Sequence, residues 1–286
     1  MREDLGEDLS EKLGEDLAIS VKGLTKIFGA RKVVDAFDMD VKKGAIYGFL
    51  GPNGSGKTTL LKAMTGEVSA EGETYLADRP ISKMRPVELA TRRAVLPQSG
   101  NIAFPFTVLE LVRLGLTAGL SSVQNHQIEQ LPLRALERVG LAGFEGRLVQ
   151  ELSGGERQRA QLARVLVQIW DPVLEGVPRW LFLDEPVSAL DIGHQLVVMQ
   201  IARDFAEAGG GVIVVMHDLN LTSMFADHVT LLDRGRVRHT GTPQEVLTDA
   251  HLSACYGCAL RTNTPPPLGG PWLLPQAATS RSGNSA

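Results

Sequence analysis

The stretch "GPNGSGKTT", residues 51 to 59, constrains this 286-residue chain more than any other. Gly51, Gly56, Lys57 and Thr58 fall at the spacing G-x-x-x-x-G-K-[ST], with Pro52, Asn53, Gly54 and Ser55 between them and Thr59 after. In that pattern backbone N–H groups wrap a polyphosphate, the lysine reaches its outer phosphates and the hydroxyl ligates Mg²⁺. The flanks supply the context the motif needs. Upstream, "AIYGFL" is an apolar run that reads as a buried strand. Downstream, "TTLLKAMTG" has apolar residues at helical spacing and ends on Gly66, a C-cap glycine. Strand, glycine loop and helix in that order aim the free N–H groups of a helix N-terminus at an anion. A solvated turn that happens to contain lysine is the competing reading, and both flanks argue against it.

Two further segments carry chemistry. "WLFLDEP" places Asp184 and Glu185 directly after a hydrophobic strand. An acid there can hold a magnesium shell, and its neighbour can orient an attacking water as a general base. A helix N-cap is the structural alternative for Asp184. In "LSGGERQ", Ser153 is placed to cap a helix with Glu156 closing a capping box. That explains the segment structurally, yet Gly154 and Gly155 beside a serine at a helix N-terminus also make a second anion site.

Around these motifs the chain reads as an α/β core with additions. "LAISVKGLTKIF" and "VVDAFDMDVKKG" alternate like paired antiparallel strands, and "GETYLADRPI" reads as a strand with a turn. Residues from about 86 to 165 read as a mostly helical inserted subdomain. Beyond it, helices precede "RWLFLDEP", "GVIVVMHD" and "VTLLDRGRV", and the fully apolar runs "WLFL" and "VIVV" suit parallel strands covered on both faces. Residues 1–16 are expected to be an acidic extension outside the fold. Residues 1 to 17 carry seven acids against Arg2 and Lys12, a balance of -5 within a net charge of -4, so the remaining residues total +1. Nothing in that balance points to a nucleic-acid surface. Residues 262–286 hold five prolines and no acid and are expected to be a disordered tail. No run approaches the ~18 apolar residues of a membrane span, so a membrane role requires a partner. The two cysteines, Cys255 and Cys258, offer no disulfide framework; their CxxC spacing fits a redox pair or half a zinc site, but without companions they read as structural.

LSGGE between the glycine loop and "LFLDEP" closely resembles the signature of ATP-binding-cassette (ABC) ATPases, over residues 17–261. The resemblance implies a P-loop NTPase core with an antiparallel β subdomain and an inserted helical subdomain. It implies ATP and Mg²⁺ as cofactors, with Thr58, Gln98 and Asp184 around the metal and Lys57, Glu185 and His217 as catalytic groups. Gln98 in "VLPQ" resembles the Q-loop glutamine, which moves with the membrane partner. His217 in "VVMHD" is similar to the switch histidine that senses the γ-phosphate, and Asp191 in "SALD" falls in a D-loop. Phe28 in "KIFGA" looks like the aromatic that stacks on adenine, with a core phenylalanine as the alternative. The family pairs head to tail, so nucleotide would lie between Gly51–Thr58 of one copy and Ser153–Glu156 of the other.

A cassette of this kind implies a homodimer beneath an integral-membrane permease dimer, on the cytoplasmic face of a prokaryotic plasma membrane. A periplasmic or surface substrate-binding protein would act indirectly, and no nucleic acid is implied. "SGNIAFPFTVLELVRLG" and "MHDLNLTSMFADHVTLLDRGRV" resemble the ATPases of iron-chelate importers, and the extended "IWDPVLEGVPRW" those of haem importers in particular. Haem is therefore the expected cargo, with ferric siderophore and cobalamin as alternatives. A soluble cassette ATPase of translation or DNA repair is the remote alternative. Those usually carry two cassettes, coiled-coil insertions or zinc modules, and this chain has none of them.

Overall fold

The computed structural model describes residues 17–98, 104–118, 128–265, 269, 271 and 273–277. The acidic repeat at 1–16, the whole "SGNIA" stretch and the end of the C-terminal tail lie outside the described residues. Strands β1 (Leu17–Phe28) and β2 (Arg31–Lys42) pair antiparallel; β3 (Ile46–Leu50) then leads into the glycine loop and α1 (Lys57–Met64). A hairpin of β4 (Glu71–Leu76) and β5 (Arg79–Pro80) joins β1 to complete a four-stranded antiparallel sheet ordered β2-β1-β4-β5. Next come α2 (Pro86–Arg92), β6 (Arg93–Leu96), α3 (Val108–Ala118), α4 (Leu131–Arg138) and α5 (Gly154–Gln168). A short hairpin, β7 (Val173–Leu174) with β8 (Val177–Pro178), occupies the extended segment before β9 (Trp180–Asp184). The chain finishes with α6 (Ile192–Glu207), β10 (Gly211–Val215), α7 (Leu219–Phe225), β11 (His228–Asp233), β12 (Arg236–Gly241), α8 (Pro243–Val246) and α9 (Asp249–Tyr256).

The second sheet has six strands in the order β12-β11-β3-β10-β9-β6. All neighbours are parallel except the edge strand β12. Its central strands are buried along their whole length, as the uninterrupted apolar runs require when helices cover one face and the antiparallel sheet covers the other. In β3, Ile46 and Leu50 face the core shared with α5 and α6, while Tyr47 and Phe49 face the core under the antiparallel sheet. The two-residue period of a strand thus ties both cores to one element.

Two segments differ in detail from a purely local reading. Arg93–Leu96 lies inside the segment expected to be helical, yet it forms the edge strand β6, with Ala94 and Leu96 buried against β9. The tail expected to be disordered is placed in part. Thr262 donates from both its backbone N–H and its hydroxyl to Asp249 Oδ1, at 2.7 Å each, and Pro275–Ala277 forms a 3₁₀ turn. Gln276 there donates to the carbonyl of Asn220 on α7. An acidic N-cap region seeking donors and a polar amide finding a carbonyl are enough to seat chain that composition alone reads as unstructured.

Candidate active site

Four neighbouring parallel strands, β6, β9, β10 and β3, end on the same side of the sheet. Each releases a sequence-identified residue there: Gln98 after β6, Asp184 and Glu185 at β9, His217 after β10, and the glycine loop after β3. Ligands of open α/β sheets bind in the crevice at such carboxyl ends. A cleft of about 730 Å³ lies there, lined by Asn53, Gly54, Gly56, Lys57, Thr58 and Thr59 of the loop, together with Gln98, Glu185 and His217.

The loop conformation depends on glycine at both ends. Gly51 has a φ of 145°, and a Cβ there would lie 2.0 Å from the carbonyl oxygen of Leu232. Gly56, the residue before α1, has a φ of 103°, and its Cβ would lie 2.5 Å from the carbonyl oxygen of Val33. No L-residue with a side chain enters either position without displacing β-sheet backbone. Gly66 is left-handed just beyond α1, as expected of a C-terminal glycine. Lys57 folds back and donates to the carbonyls of Gly51 and Pro52, at 2.8 and 3.1 Å, which closes the loop on itself. Burial lowers the pKa of its ammonium, while the nearby charges of Glu185 and Asp184 oppose that shift.

Beneath the loop, the hydroxyl of Thr58 donates to Asp184 Oδ1 at 2.9 Å. Asp184 therefore caps no helix. Burial raises its pKa, the bond from Thr58 opposes the rise, and Glu185 adds to it. Asp184 Oδ2 and Ser55 Oγ are buried without hydrogen-bond partners. Glu185 stands at the mouth of the cleft with its side chain 13% exposed. Its Oε2 accepts from Gln98 Nε2 at 2.8 Å, and its Oε1 lies 2.5 Å from His217 Nε2. Three residues from three different strand ends therefore meet at one carboxylate.

The other expected residues sit elsewhere on the molecule. Ser153 Oγ accepts from the N–H of Glu156, and Glu156 Oε2 accepts from the N–H of Ser153, so the capping box forms at the start of α5. Gly155 packs against the backbone of Ala189, where a Cβ would come within 3.0 Å of its carbonyl oxygen. Asp191 caps α6 by accepting from the N–H of His194, and both its oxygens lie 2.9 Å from His194 Nδ1. Phe28 is 51% exposed, with Lys26 Nζ over its ring at 4.9 Å; it is not a core residue. None of Phe28, Ser153–Glu156 or Asp191 lines the cleft of this protomer. Cys255 donates to the carbonyl of Leu232 at 3.8 Å and Cys258 is exposed; among the described residues no group of three metal-ligating side chains includes them.

Sequence reasoning passed over Arg31, Gln158 and Gln195. Arg31 lines the cleft from the first position of β2 and points Nη2 at the carbonyl of Gly54, and Gln195 lines it from α6. Gln158 donates to the backbone carbonyl of Glu185 at 2.8 Å. The nearest available signal was the proximity of Arg31 to Phe28 in a hairpin turn; the two glutamines had none.

The family profile described as ABC transporter matches residues 34–188. A hemin import ATP-binding protein HmuV of Jannaschia sp. (strain CCS1) is 57% identical over 265 residues, which is 93% of this chain and 97% of that protein. Another protein of that name, from Mesorhizobium japonicum, is 51% identical, covering 91% and 99% of the two chains. Among solved structures, a bacterial ABC transporter cassette in dimeric form superimposes with a TM-score of 0.69 at 26% identity, covering 79% of this chain and 98% of its own. With the profile covering more than half of the chain and relatives matched over nearly their whole length, this chain belongs to the ABC transporter family as one of its ATP-binding, ATP-hydrolysing subunits.

Proposed function

We propose that this chain energises haem uptake by hydrolysing ATP beneath a separate membrane permease. The observation that carries the mechanism is the Glu185 carboxylate, held between Gln98 and His217 at the mouth of the phosphate cleft. Glu185 acts as the general base that orients water toward the γ-phosphate, and His217 holds it there and reads whether that phosphate is present. Lys57 leaves its two carbonyl partners to contact the outer phosphates, while the N–H groups of residues 53–59 wrap them. Thr58 Oγ1, Asp184 and Gln98 would hold Mg²⁺. The partnerless Asp184 Oδ2 beside the Thr58 hydroxyl is an all-oxygen donor set of the kind this ion takes, which supports the fit. When bound, Mg²⁺ would neutralise phosphate charge.

The remaining residues act in a homodimer. Ser153, Gly154, Gly155 and Glu156 of one copy close over nucleotide held by the glycine loop of the other, Asp191 faces that joint, and Phe28 stacks on adenine. Their positions outside the cleft of one protomer support this pairing, as does the dimeric form of the related cassette. No helix among the described residues is long and apolar enough to cross a membrane, in keeping with peripheral attachment to a permease dimer at the cytoplasmic face. A substrate-binding protein on the far side would deliver the cargo.

The names of relatives matched over nearly their whole length support haem as that cargo. The test is uptake in cells lacking the native gene, complemented with wild type or Glu185→Gln and supplied with haem, a ferric siderophore or cobalamin. Loss of haem uptake alone in the variant is the expected result. Loss confined to another chelate would keep the ATPase and overturn the cargo, and intact uptake of all three would overturn the transport role.

A further inference from the structure

We propose that Gln158 is a positioning residue for Glu185, through which helix α5 sets the aim of the carboxylate. This rests on the reading of Glu185 as the general base. Glu185 has a φ of 52°, a left-handed backbone conformation that residues with a side chain avoid unless their surroundings hold them in it. Its carbonyl accepts three hydrogen bonds. Two come from Ser188, from the hydroxyl at 3.2 Å and the N–H at 3.4 Å. Ser188 belongs to the same turn and moves with it, so neither bond fixes the turn to the rest of the molecule. The third and shortest, at 2.8 Å, comes from Gln158 Nε2. Among the described residues it is the one side-chain donor that reaches this carbonyl from another element.

Gln158 lies one turn into α5, whose N-terminus is fixed by the box between Ser153 and Glu156. Its amide oxygen is buried with no partner. A half-satisfied buried amide is a poor choice for packing, since an apolar side chain of the same length would be at least as stable. Its one bond is therefore to the peptide of Glu185. Rotation of that peptide swings the Glu185 side chain relative to Gln98 and His217, so a shift of α5 re-aims the base. The helix that carries the signature serine and glycines thus has a mechanical route to the carboxylate in its own chain.

Purified dimer would be assayed for ATP turnover as Gln158→Met, which keeps length and removes the donor, and as Gln158→His, whose Nε2–H restores a donor at similar reach. Loss of one such bond is expected to lower kcat about tenfold in the methionine variant, with KM for ATP within about twofold of wild type and no loss of thermal stability. The histidine variant should recover most of kcat. Gln158→Ala, a good helix former, gives the same split should the methionine variant not fold. Unchanged kcat in the methionine or alanine variant overturns the proposal. So does a joint fall of kcat and thermal stability with raised KM that histidine does not rescue, which is what packing alone would produce. Glu185→Gln is run beside them. Full turnover there overturns the reading of Glu185 and this inference with it; abolished turnover there with normal Gln158→Met overturns this inference alone.

Discussion

Replacing Asp184 by Asn should make the nucleotide-free protein more stable while disabling it. Asp184 is 1% exposed, Oδ1 accepts from Thr58 and Oδ2 has no partner. Burial raises its pKa in the folded chain. An acid whose folded pKa lies above the unfolded one opposes folding at neutral pH, and that opposition fades as pH falls through the folded value. A buried acceptor left without a partner costs about 1–3 kcal/mol. The lower end applies here, because Lys62 offsets part of the burden on the carboxylate and Lys57 lies close enough to feel its charge. Asparagine keeps the shape and the acceptor for Thr58, and its unpartnered amide is neutral, so it is cheaper to bury than a charge.

The gain expected in EDTA at neutral pH is therefore about 1 kcal/mol, or roughly 2–4 °C in Tm for a chain of this size. With MgATP the order reverses. Ligand at a hundred times its Kd stabilises the wild type by about 2.7 kcal/mol, and the variant, short of one anionic oxygen, should gain well under half of that. Scanning fluorimetry in EDTA, in ATP with EDTA and in MgATP, beside phosphate release, reads all of these together. A variant that melts below wild type in EDTA, or that gains as much from MgATP, would refute the placement of an unpartnered carboxylate at the metal position.

Two further outcomes follow from the loop and from the caps. Gly51→Ala places a Cβ 2.0 Å from the Leu232 carbonyl, so it should destabilise the fold by about 1–3 kcal/mol and abolish binding of a fluorescent ATP analogue; Gly54→Ala meets nothing within 4 Å and carries only the strain of its φ of 76°, so it should be the milder of the two in both assays. Glu156, Glu245 and Asp249 are held below the usual carboxylate range, chiefly by N–H bonds from Ser153, Thr242 and Thr262. Their contribution is present above the unfolded pKa and lost as pH falls through the folded values, so Tm should decline between roughly pH 5 and pH 3. Glu156→Gln with Glu245→Gln and Asp249→Asn should flatten that decline in a melting series, and an unchanged slope would count against these caps.

What could be read in advance was whatever a few consecutive residues determine. The glycine loop, the acids after "WLFL" and the histidine after "VVM" each sit at a strand end whose apolar run is unmistakable, so their position at one end of the sheet followed from local pattern. Strand order did not, because nothing in "RAVL" tells β6 apart from the helices on either side of it; only pairing with β9 makes it a strand. The glutamine contacts were hidden for the same reason. Gln158 and Glu185 are 27 positions apart in the chain, and a lone glutamine in a helix carries no periodic signal.

One protomer also explains why Phe28, Ser153–Glu156 and Asp191 lie outside its own cleft. The hydroxyl of Ser153 accepts from Glu156, and Asp191 is occupied by capping α6 and by His194, so both are spent within their own chain. Yet their helices start at the surface: the Asp191 side chain is 70% exposed, and Ser153 and Gly154 at the start of α5 are exposed. A capped helix N-terminus still carries its positive end outward. In the proposed head-to-tail pair the capping box would serve as the rigid mount of the second anion site rather than as its competitor. The two readings that compete at Ser153 in the sequence would become one in that pair, in which a fixed helix end would meet the phosphate held by the loop of the other copy.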